Sequence, residues 1–159
     1  LSEAVDGALT ELQSMRQQEG AKLEADFRER LRLLVDLLAS AEERAPDRVQ
    51  EAKQRLEERI AKLLSNDTVD EQRIALEVAV IADRYDITEE IVRFKSHLEQ
   101  FESIMSEPQS GRRLNFLLQE LNREANTIGS KSNDATVAHI VVEMKEEIER
   151  LREQVQNIE

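Results

Sequence analysis

Two flanks of a helix predicted from Leu114 to Ile128 carry the polar side chains best suited to chemistry. Glu120 and Glu124 lie one helical turn apart on one flank of the apolar positions, together with Thr127. The other flank carries amides at Asn115, Gln119, Asn122 and Asn126. Carboxylate oxygens are preferred ligands of Mg²⁺ and Mn²⁺, so the two glutamates could supply part of a metal site. The amides could instead fix the register of a helix–helix interface.

The segment "IGSKSND", directly after this helix, is typical of an anion-binding loop. Ser132, Asn133 or Asp134 could cap a following helix, whose first N–H groups would attract an anion. Lys131 adds a mobile positive charge to the predicted loop, next to Gly129 and Ser130. The glycine spacing differs from that of a P-loop, so the segment does not indicate a nucleoside triphosphatase.

A second group of charged side chains lies in "ADRYDITEEIVRFKSHL". Its members are Asp83, Asp86, Glu89, Glu90, Arg93 and His97. Carboxylates at this density could bind a metal ion, and an imidazole could act as an acid, a base or a ligand. The same pattern is explained by a helix N-cap, by an i,i+4 pair between Glu89 and Arg93, and by a structural histidine.

The composition indicates an all-α protein and excludes several classes of function. Of 159 residues, 40% are hydrophobic, 35% are charged and only 3% are aromatic, with a net charge of −12. Such a charge disfavours nonspecific nucleic-acid binding by the whole surface. Without cysteine there is neither a disulfide nor a thiolate metal site. No apolar run is long enough to span a bilayer, so we expect a soluble, cytoplasmic protein.

The predicted helices fall into an arm and a core. A helix from about Ser2 to Arg44 should break at Pro46, and the next helix should fold back to make residues 1–64 an antiparallel hairpin. Residues 65–159 should form a helical core. Within it, Asp86 and Glu89 form a capping-box pattern that suggests a helix restart, although one continuous helix from Asp70 to Met105 fits equally well.

The last two predicted helices carry long apolar repeats. Leu114, Leu118, Leu121, Ala125 and Ile128 form the first repeat, and Val137, Val141, Met144, Ile148, Leu151, Val155 and Ile158 form the second. The second repeat spans three heptads and is typical of a coiled coil. The aromatic residues Tyr85, Phe94, Phe101 and Phe116 mostly lie where core is expected. Because long helices with few aromatics make a narrow core, we expect oligomerisation to complete it.

Two long stretches resemble a known protein family. The strings "FLLQELNREANTIGSKSNDATVAHIVVEMKEEIERLREQVQNIE" and "LEVAVIADRYDITEEIVRFKSHLEQF" resemble the carboxy-terminal part of the YicC-like (YicC/YloC) stress-induced protein family. The resemblance implies a bacterial cytoplasmic endoribonuclease that needs a divalent cation and assembles as a hexamer with helical arms around RNA. It also implies an amino-terminal domain of comparable length, which we do not expect among these 159 residues.

The resemblance also suggests roles for individual residues. It favours Glu120, Glu124, Asp86, Glu89, Glu90 and His97 as acid–base or catalytic groups, and Glu120, Glu124, Asp83 and Asp86 as ligands of Mg²⁺ or Mn²⁺. The residues expected to contact RNA are Arg93, Arg123, Lys131, Ser130, Asn122 and Asn126.

Two hypotheses from different classes follow from these patterns. The first is a metal-dependent endoribonuclease, in which a metal ion activates water and neutralises charge on the phosphodiester. The second is a non-catalytic helical oligomerisation or adaptor module that scaffolds RNA or another ribonuclease. The amide stripe serves the first hypothesis as a ligand-orienting surface and the second as a register-setting interface.

Overall fold

The computed structural model describes residues 2–63 and 71–156, with side chains described for residues 5–62 and 72–156. These residues form five helices: α1 (Ser2–Leu63), α2 (Glu71–Tyr85), α3 (Thr88–Ile104), α4 (Gly111–Ser132) and α5 (Ala135–Gln156). The described part of the chain contains no strand, which confirms the all-α prediction.

Helix α1 continues through Pro46, so the predicted break and the hairpin within residues 1–64 are wrong. Proline removes one hydrogen bond to the carbonyl four residues earlier and normally kinks or ends a helix. Here the side chain of Pro46 is exposed, so water can reach the carbonyl that proline leaves unpaired. Packing of residues 27–41 before it and contacts of Arg48 after it hold both segments in one helix.

The second half of α1 has α2 as its antiparallel partner. Tyr85, at the end of α2, lies under the guanidinium of Arg48, whose carbon is 5.6 Å from the ring centroid. Arg48 and Tyr85 lie almost equally far from the residues that connect the two helices. The antiparallel partner that the sequence placed after Pro46 is therefore α2.

Helices α3 and α4 form an antiparallel hairpin, and α5 and the middle of α1 close its apolar face. The core includes Phe27 and Phe101, whose rings meet edge to face at 5.5 Å. The predicted apolar positions of α4 are buried, as are those of α5 from Val137 to Val155, while Ile158 lies outside the described residues. Much of the core is thus completed within one chain.

The connections around the hairpin follow their local chemistry. Asp86 Oδ1 accepts a hydrogen bond from the backbone N–H of Thr88 at 2.9 Å, which confirms the predicted restart between α2 and α3. Glu89 makes no capping-box bond and pairs with Arg93 instead. Asn133, with φ 44°, ends α4, and Asp134 caps α5 by accepting from Val137 N–H at 3.0 Å.

The predicted anion-binding loop at residues 129–132 is helical. These residues form the last turn of α4, where the hydroxyls of Ser130 and Ser132 donate hydrogen bonds to backbone carbonyls of the same helix. The side chain of Asp134 also occupies the first turn of α5. The loop prediction is therefore wrong, because the chain turns in only two residues.

The first third of α1 has an exposed surface. Val5, Leu9, Leu12 and Met15 recur at helical spacing and all remain exposed. None of the helices described is both long enough and apolar enough to cross a membrane.

Candidate functional site

A row of polar side chains runs between α3 and α4, and we call it the polar row. Its members are Glu90, Arg93 and His97 on α3, and Lys131, Glu124 and Glu120 on α4. The members of each helix are three, four or seven residues apart, so they share the flank that faces the other helix. The antiparallel hairpin then pairs the start of α3 with the end of α4. Two ion pairs show this order, since Lys131 Nζ lies 2.8 Å from Glu90 Oε1 and Arg93 Nη1 lies 3.6 Å from Glu124 Oε1.

His97, Glu120 and Glu124 converge in the polar row, and we call them the His–Glu cluster. Each offers one ligand atom, and these atoms all lie within 4.8 Å of one another. Glu124 is only 3% exposed, whereas His97 and Glu120 are half-buried. The cluster is thus held on one side by the core and open on the other.

The cluster contains a buried polar atom without a partner. His97 Nδ1 makes no hydrogen bond with any described residue. Leaving a buried donor or acceptor unpaired costs about 1–3 kcal/mol, so such atoms call for a ligand or a functional role. One nitrogen of the imidazole lies close to both carboxylates, and a histidine beside two carboxylates fits a divalent cation. A mixed nitrogen and oxygen donor set suits Mn²⁺ better than Mg²⁺, which prefers oxygen ligands alone.

Arg93 lies at the mouth of the cluster, between Glu89 and Glu124. The hydrogen bond to Glu89 is the main cause that raises the pKa of Arg93 above its ordinary value, and Glu124 and Glu90 add to the effect. Its side chain is 47% exposed. A fully charged, half-exposed guanidinium is well placed to meet an anion from solvent.

Lys131 and Glu90 form the other end of the polar row. Lys131 Nζ also donates to the backbone carbonyl of Asp86 at 3.1 Å, which ties the end of α4 to the start of α3. Glu90 is buried, and its Oε2 has no hydrogen-bond partner among the described residues. The ammonium therefore satisfies one oxygen of this carboxylate, while the other is buried and unpaired.

Asp83 and Asp86 do not join the His–Glu cluster. Asp86 precedes the N-cap residue Ile87 and accepts from the N–H of Thr88, and the hydrogen bond with Thr88 is the main cause that lowers its pKa. Both aspartates line a separate cavity of about 660 Å³ between α1, α2 and the start of α3. The group of possible metal ligands found among the described residues contains neither aspartate. The predicted metal site of four carboxylates is therefore not formed. His97, and not Asp83 or Asp86, lies beside Glu120 and Glu124.

The amide stripe faces α5 instead of α3. Asn122, Arg123 and Asn126 line a cavity of about 400 Å³ between α4 and α5, together with Gln119, Thr127 and Arg152. Asn126 accepts from Lys145 Nζ at 3.1 Å and donates to Asn122 Oδ1 at 2.9 Å. Carboxylates and amides thus occupy opposite flanks of α4, as their spacing predicts. Thr127 joins the amide side.

Sequence reasoning missed two features beside the site. Arg48 is 4% exposed and donates to the carbonyls of Ser132 and Asn133 at 3.3 and 2.7 Å, so α1 holds the α4–α5 turn. No local signal connects positions 84 residues apart. Phe116 was expected mostly in the core, yet it is 58% exposed. Its spacing from Glu120 was the available signal, because residues four apart share a flank.

These observations define an all-α protein with a candidate cation-binding cluster in a helical hairpin. The chain belongs to the YicC-like endoribonuclease family, because residues 41–159 match the family described as "Endoribonuclease YicC-like, C-terminal". This finding confirms the family resemblance.

Two curated relatives cover nearly all of this chain. It is 47% identical over 161 residues to "Probable endoribonuclease YicC" of Clostridioides difficile (strain 630), covering 100% of the chain and 55% of the relative. It is 36% identical over 157 residues to "Probable endoribonuclease YicC" of Haemophilus influenzae, covering 98% of the chain and 54% of the relative. The chain spans about half the length of these relatives.

Proposed function

We propose that the polar row is the catalytic centre of an endoribonuclease that hydrolyses phosphodiester bonds of RNA with a divalent cation. The observation that carries this proposal is the convergence of His97, Glu120 and Glu124 from two helices. Membership of a family named for endoribonuclease activity supports it.

His97, Glu120 and Glu124 would hold the cation. A divalent ion in such a site supplies activation of water and neutralisation of charge on the phosphodiester. Burial of Glu124 fixes the position of its carboxylate, while the exposed edge of the cluster leaves room for substrate. His97 adds a nitrogen donor to the two carboxylate ligands.

Arg93 and Lys131 would bind RNA phosphates on either side of the buried carboxylates. Both already neutralise acidic neighbours, and a phosphate can replace those partners because the two side chains are only partly covered. Glu90 is the acid–base candidate of the row, since one of its oxygens has no partner. Glu89 would hold Arg93 in place, and Asp86 would hold the start of α3.

The amide stripe would contact RNA on a second surface. Asn122, Arg123 and Asn126 lie on the α5 side of α4. A nucleotide bound there would therefore not be the nucleotide that contacts the His–Glu cluster. Ser130, exposed in the last turn of α4, would contact ribose or phosphate at the same end. With a net charge of −12, the chain relies on bound cations and these local basic groups to accept a polyanion.

Substitution of Glu124 by Gln tests the proposal, because it removes the charge and keeps the shape. We expect Mn²⁺ affinity, measured by calorimetry, to fall at least tenfold and RNA cleavage to fall with it. Glu147→Gln is the matched control, since Glu147 is a buried carboxylate that pairs with Arg30 and Arg150 elsewhere in the fold. If Glu124→Gln binds Mn²⁺ and cleaves RNA as the unaltered protein does, the cluster is not the catalytic centre.

A second candidate function is an assembly module that scaffolds RNA or another ribonuclease. The exposed apolar stripe of α1, at Val5, Leu9, Leu12 and Met15, favours assembly into the homo-oligomer that the family resemblance implies. On this reading, Asn122→Ala changes the sedimentation coefficient and the purified protein never cleaves RNA. Cleavage that is lost in Glu124→Gln without a change of oligomer size excludes it.

A further inference from the structure

Phe116 differs from every other aromatic residue of the chain. Phe27, Phe94 and Phe101 are buried, and Tyr85 is half-buried beside Arg48, whereas the ring of Phe116 is 58% exposed. Keeping so much aromatic surface in water forgoes the free energy that its burial would contribute. The exposed ring is therefore a candidate contact surface.

The ring of Phe116 lines a cavity with two arginines. This Phe116 cavity, of about 360 Å³, lies between the end of α3 and the start of α4, and Arg112, Arg113, Gln100 and Ser103 contribute to its walls. Arg113 pairs with Glu107, whereas Arg112 makes no ion pair with any residue of the described ranges. In a chain of net charge −12, two adjacent guanidiniums beside an exposed ring form a local basic surface.

The Phe116 cavity continues the polar row. Phe116 precedes Glu120 by one helical turn on the flank that faces α3, a rise of roughly 6 Å. On the facing helix, Gln100 follows His97 by one turn. An RNA strand whose phosphodiester lies at the His–Glu cluster therefore meets Lys131 towards one end of the row and the Phe116 cavity towards the other.

We propose that the Phe116 cavity binds one nucleotide of single-stranded RNA, with the base stacked on Phe116 and a neighbouring phosphate held by Arg112 and Arg113. The proposal rests on the proposed ribonuclease function and adds to it a subsite next to the cleaved bond. Stacking on an aromatic ring accepts any base, and guanidiniums bind phosphate without reading sequence. The subsite therefore selects unpaired RNA over duplex, because paired bases are not free to stack.

The chain contains no tryptophan, so Phe116→Trp introduces a single fluorescent reporter that keeps a stacking surface. A short unstructured RNA, added in the cold with EDTA to suppress cleavage, should quench this tryptophan. Leu76→Trp is the control, since Leu76 is an exposed residue of α2 that does not line the Phe116 cavity. Its emission should not change.

Phe116→Leu measures the contribution of stacking. We expect RNA affinity to fall about five- to hundredfold, the range found when one stacking side chain is lost. An RNA with an abasic nucleotide at the stacked position should bind both forms equally. Replacing Arg112 and Arg113 by Gln should lower the salt dependence of binding by roughly one phosphate contact.

Three results would overturn the subsite. Phe116→Leu could bind RNA as well as the unaltered protein while Glu124→Gln still loses Mn²⁺, which removes the subsite and keeps the catalytic proposal. The sedimentation coefficient of Phe116→Leu could fall, which assigns the ring to a contact between copies of the chain. The unaltered protein could bind no RNA at all, which removes the proposed function and the subsite together.

Discussion

Arg93 Nη1 lies 3.6 Å from Glu124 Oε1, so a positive charge of the protein stands beside the carboxylate that we propose as a metal ligand. The guanidinium and a divalent cation would compete for the same negative charge, whereas the guanidinium and the cation would both attract RNA. Metal binding and substrate binding therefore make opposite demands on Arg93.

Arg93→Gln should raise Mn²⁺ affinity and lower RNA affinity. The half-exposed pair with Glu124 is screened by solvent, so we expect a gain in Mn²⁺ affinity of only roughly two- to fivefold. Calorimetry with Mn²⁺ and RNA-binding titrations would measure the two changes. Arg28→Gln, which removes an exposed i,i+4 pair with Glu24, serves as the control. A fall in Mn²⁺ affinity in Arg93→Gln would contradict this account.

Arg48→Ala should destabilise the fold. It removes hydrogen bonds to the carbonyls of Ser132 and Asn133 and an ion pair with Asp134 at 3.3 Å, so the turn between α4 and α5 loses its tie to α1. Loss of one partner from such a buried network typically costs about 3–5 kcal/mol, which urea unfolding would detect. Arg55→Ala, which loses only an exposed pair with Glu51, should change stability by less than about 1 kcal/mol. Equal effects of the two substitutions would show that the Arg48 contacts add nothing.

Asp134 should make stability depend on pH in the acid range. Burial alone would raise its pKa, but the N–H of Val137 and the guanidiniums of Arg44 and Arg48 outweigh burial and lower it. A carboxyl whose pKa is depressed by folding stabilises the protein above its unfolded pKa of about 3.9 and loses that contribution as pH falls through the folded value.

Asp134→Asn keeps an N-cap side chain and removes the charge. It should lower the free energy of unfolding at pH 7 and flatten the loss of stability below about pH 4, as urea titrations at several pH values would show. If the free energy of unfolding of Asp134→Asn falls as steeply at acid pH as that of the unaltered protein, other carboxyls cause the pH dependence. Glu51 and Asp86 also have lowered pKa values.

Pro46→Ala should stabilise the protein. The substitution restores an N–H donor in the interior of α1, and proline in a helix interior costs about 3 kcal/mol relative to alanine. Because Pro46 is exposed and some strain is already relieved, we expect a gain of about 1–3 kcal/mol in urea unfolding. Pro108→Ala, in the exposed loop between α3 and α4, should give no gain. Loss of stability in Pro46→Ala would show that the proline shapes α1 in a way that the fold requires.

The spacing of residues within α4 predicted most of its faces, except that Thr127 lies on the amide side and Phe116 is exposed. Leu114, Leu118 and Leu121 are buried, Glu120 and Glu124 lie on one flank, and the amides lie on the other. Helical periodicity fixes these directions because every residue turns by the same angle about the axis. The hydrogen bonds of Asp86 with Thr88 and of the N-cap residue Asp134 with Val137 join near neighbours in sequence, so local patterns could indicate them.

The partner of α4 within α3 could not be predicted in the same way. Which turn of α3 meets Glu124 depends on how residues 105–110 reverse the chain, and the sequence left Asp86 and His97 both available. In the structure, His97 is the residue of α3 that meets Glu120 and Glu124. Pro46 was misread for a related reason: local propensity predicts a break, but tertiary packing on both sides of a residue can override it.

Helix α1 extends beyond the packed region in one piece. Its residues from 5 to 22 are exposed, yet they continue directly from the segment anchored by Phe27 and Leu34, so this extension needs no nucleation step of its own. Over about 30 Å it behaves as a stiff handle whose direction is set by the body of the molecule. A partner that binds this extension therefore pulls on the whole of α1. Through Arg48, α1 also contacts the turn beside Lys131.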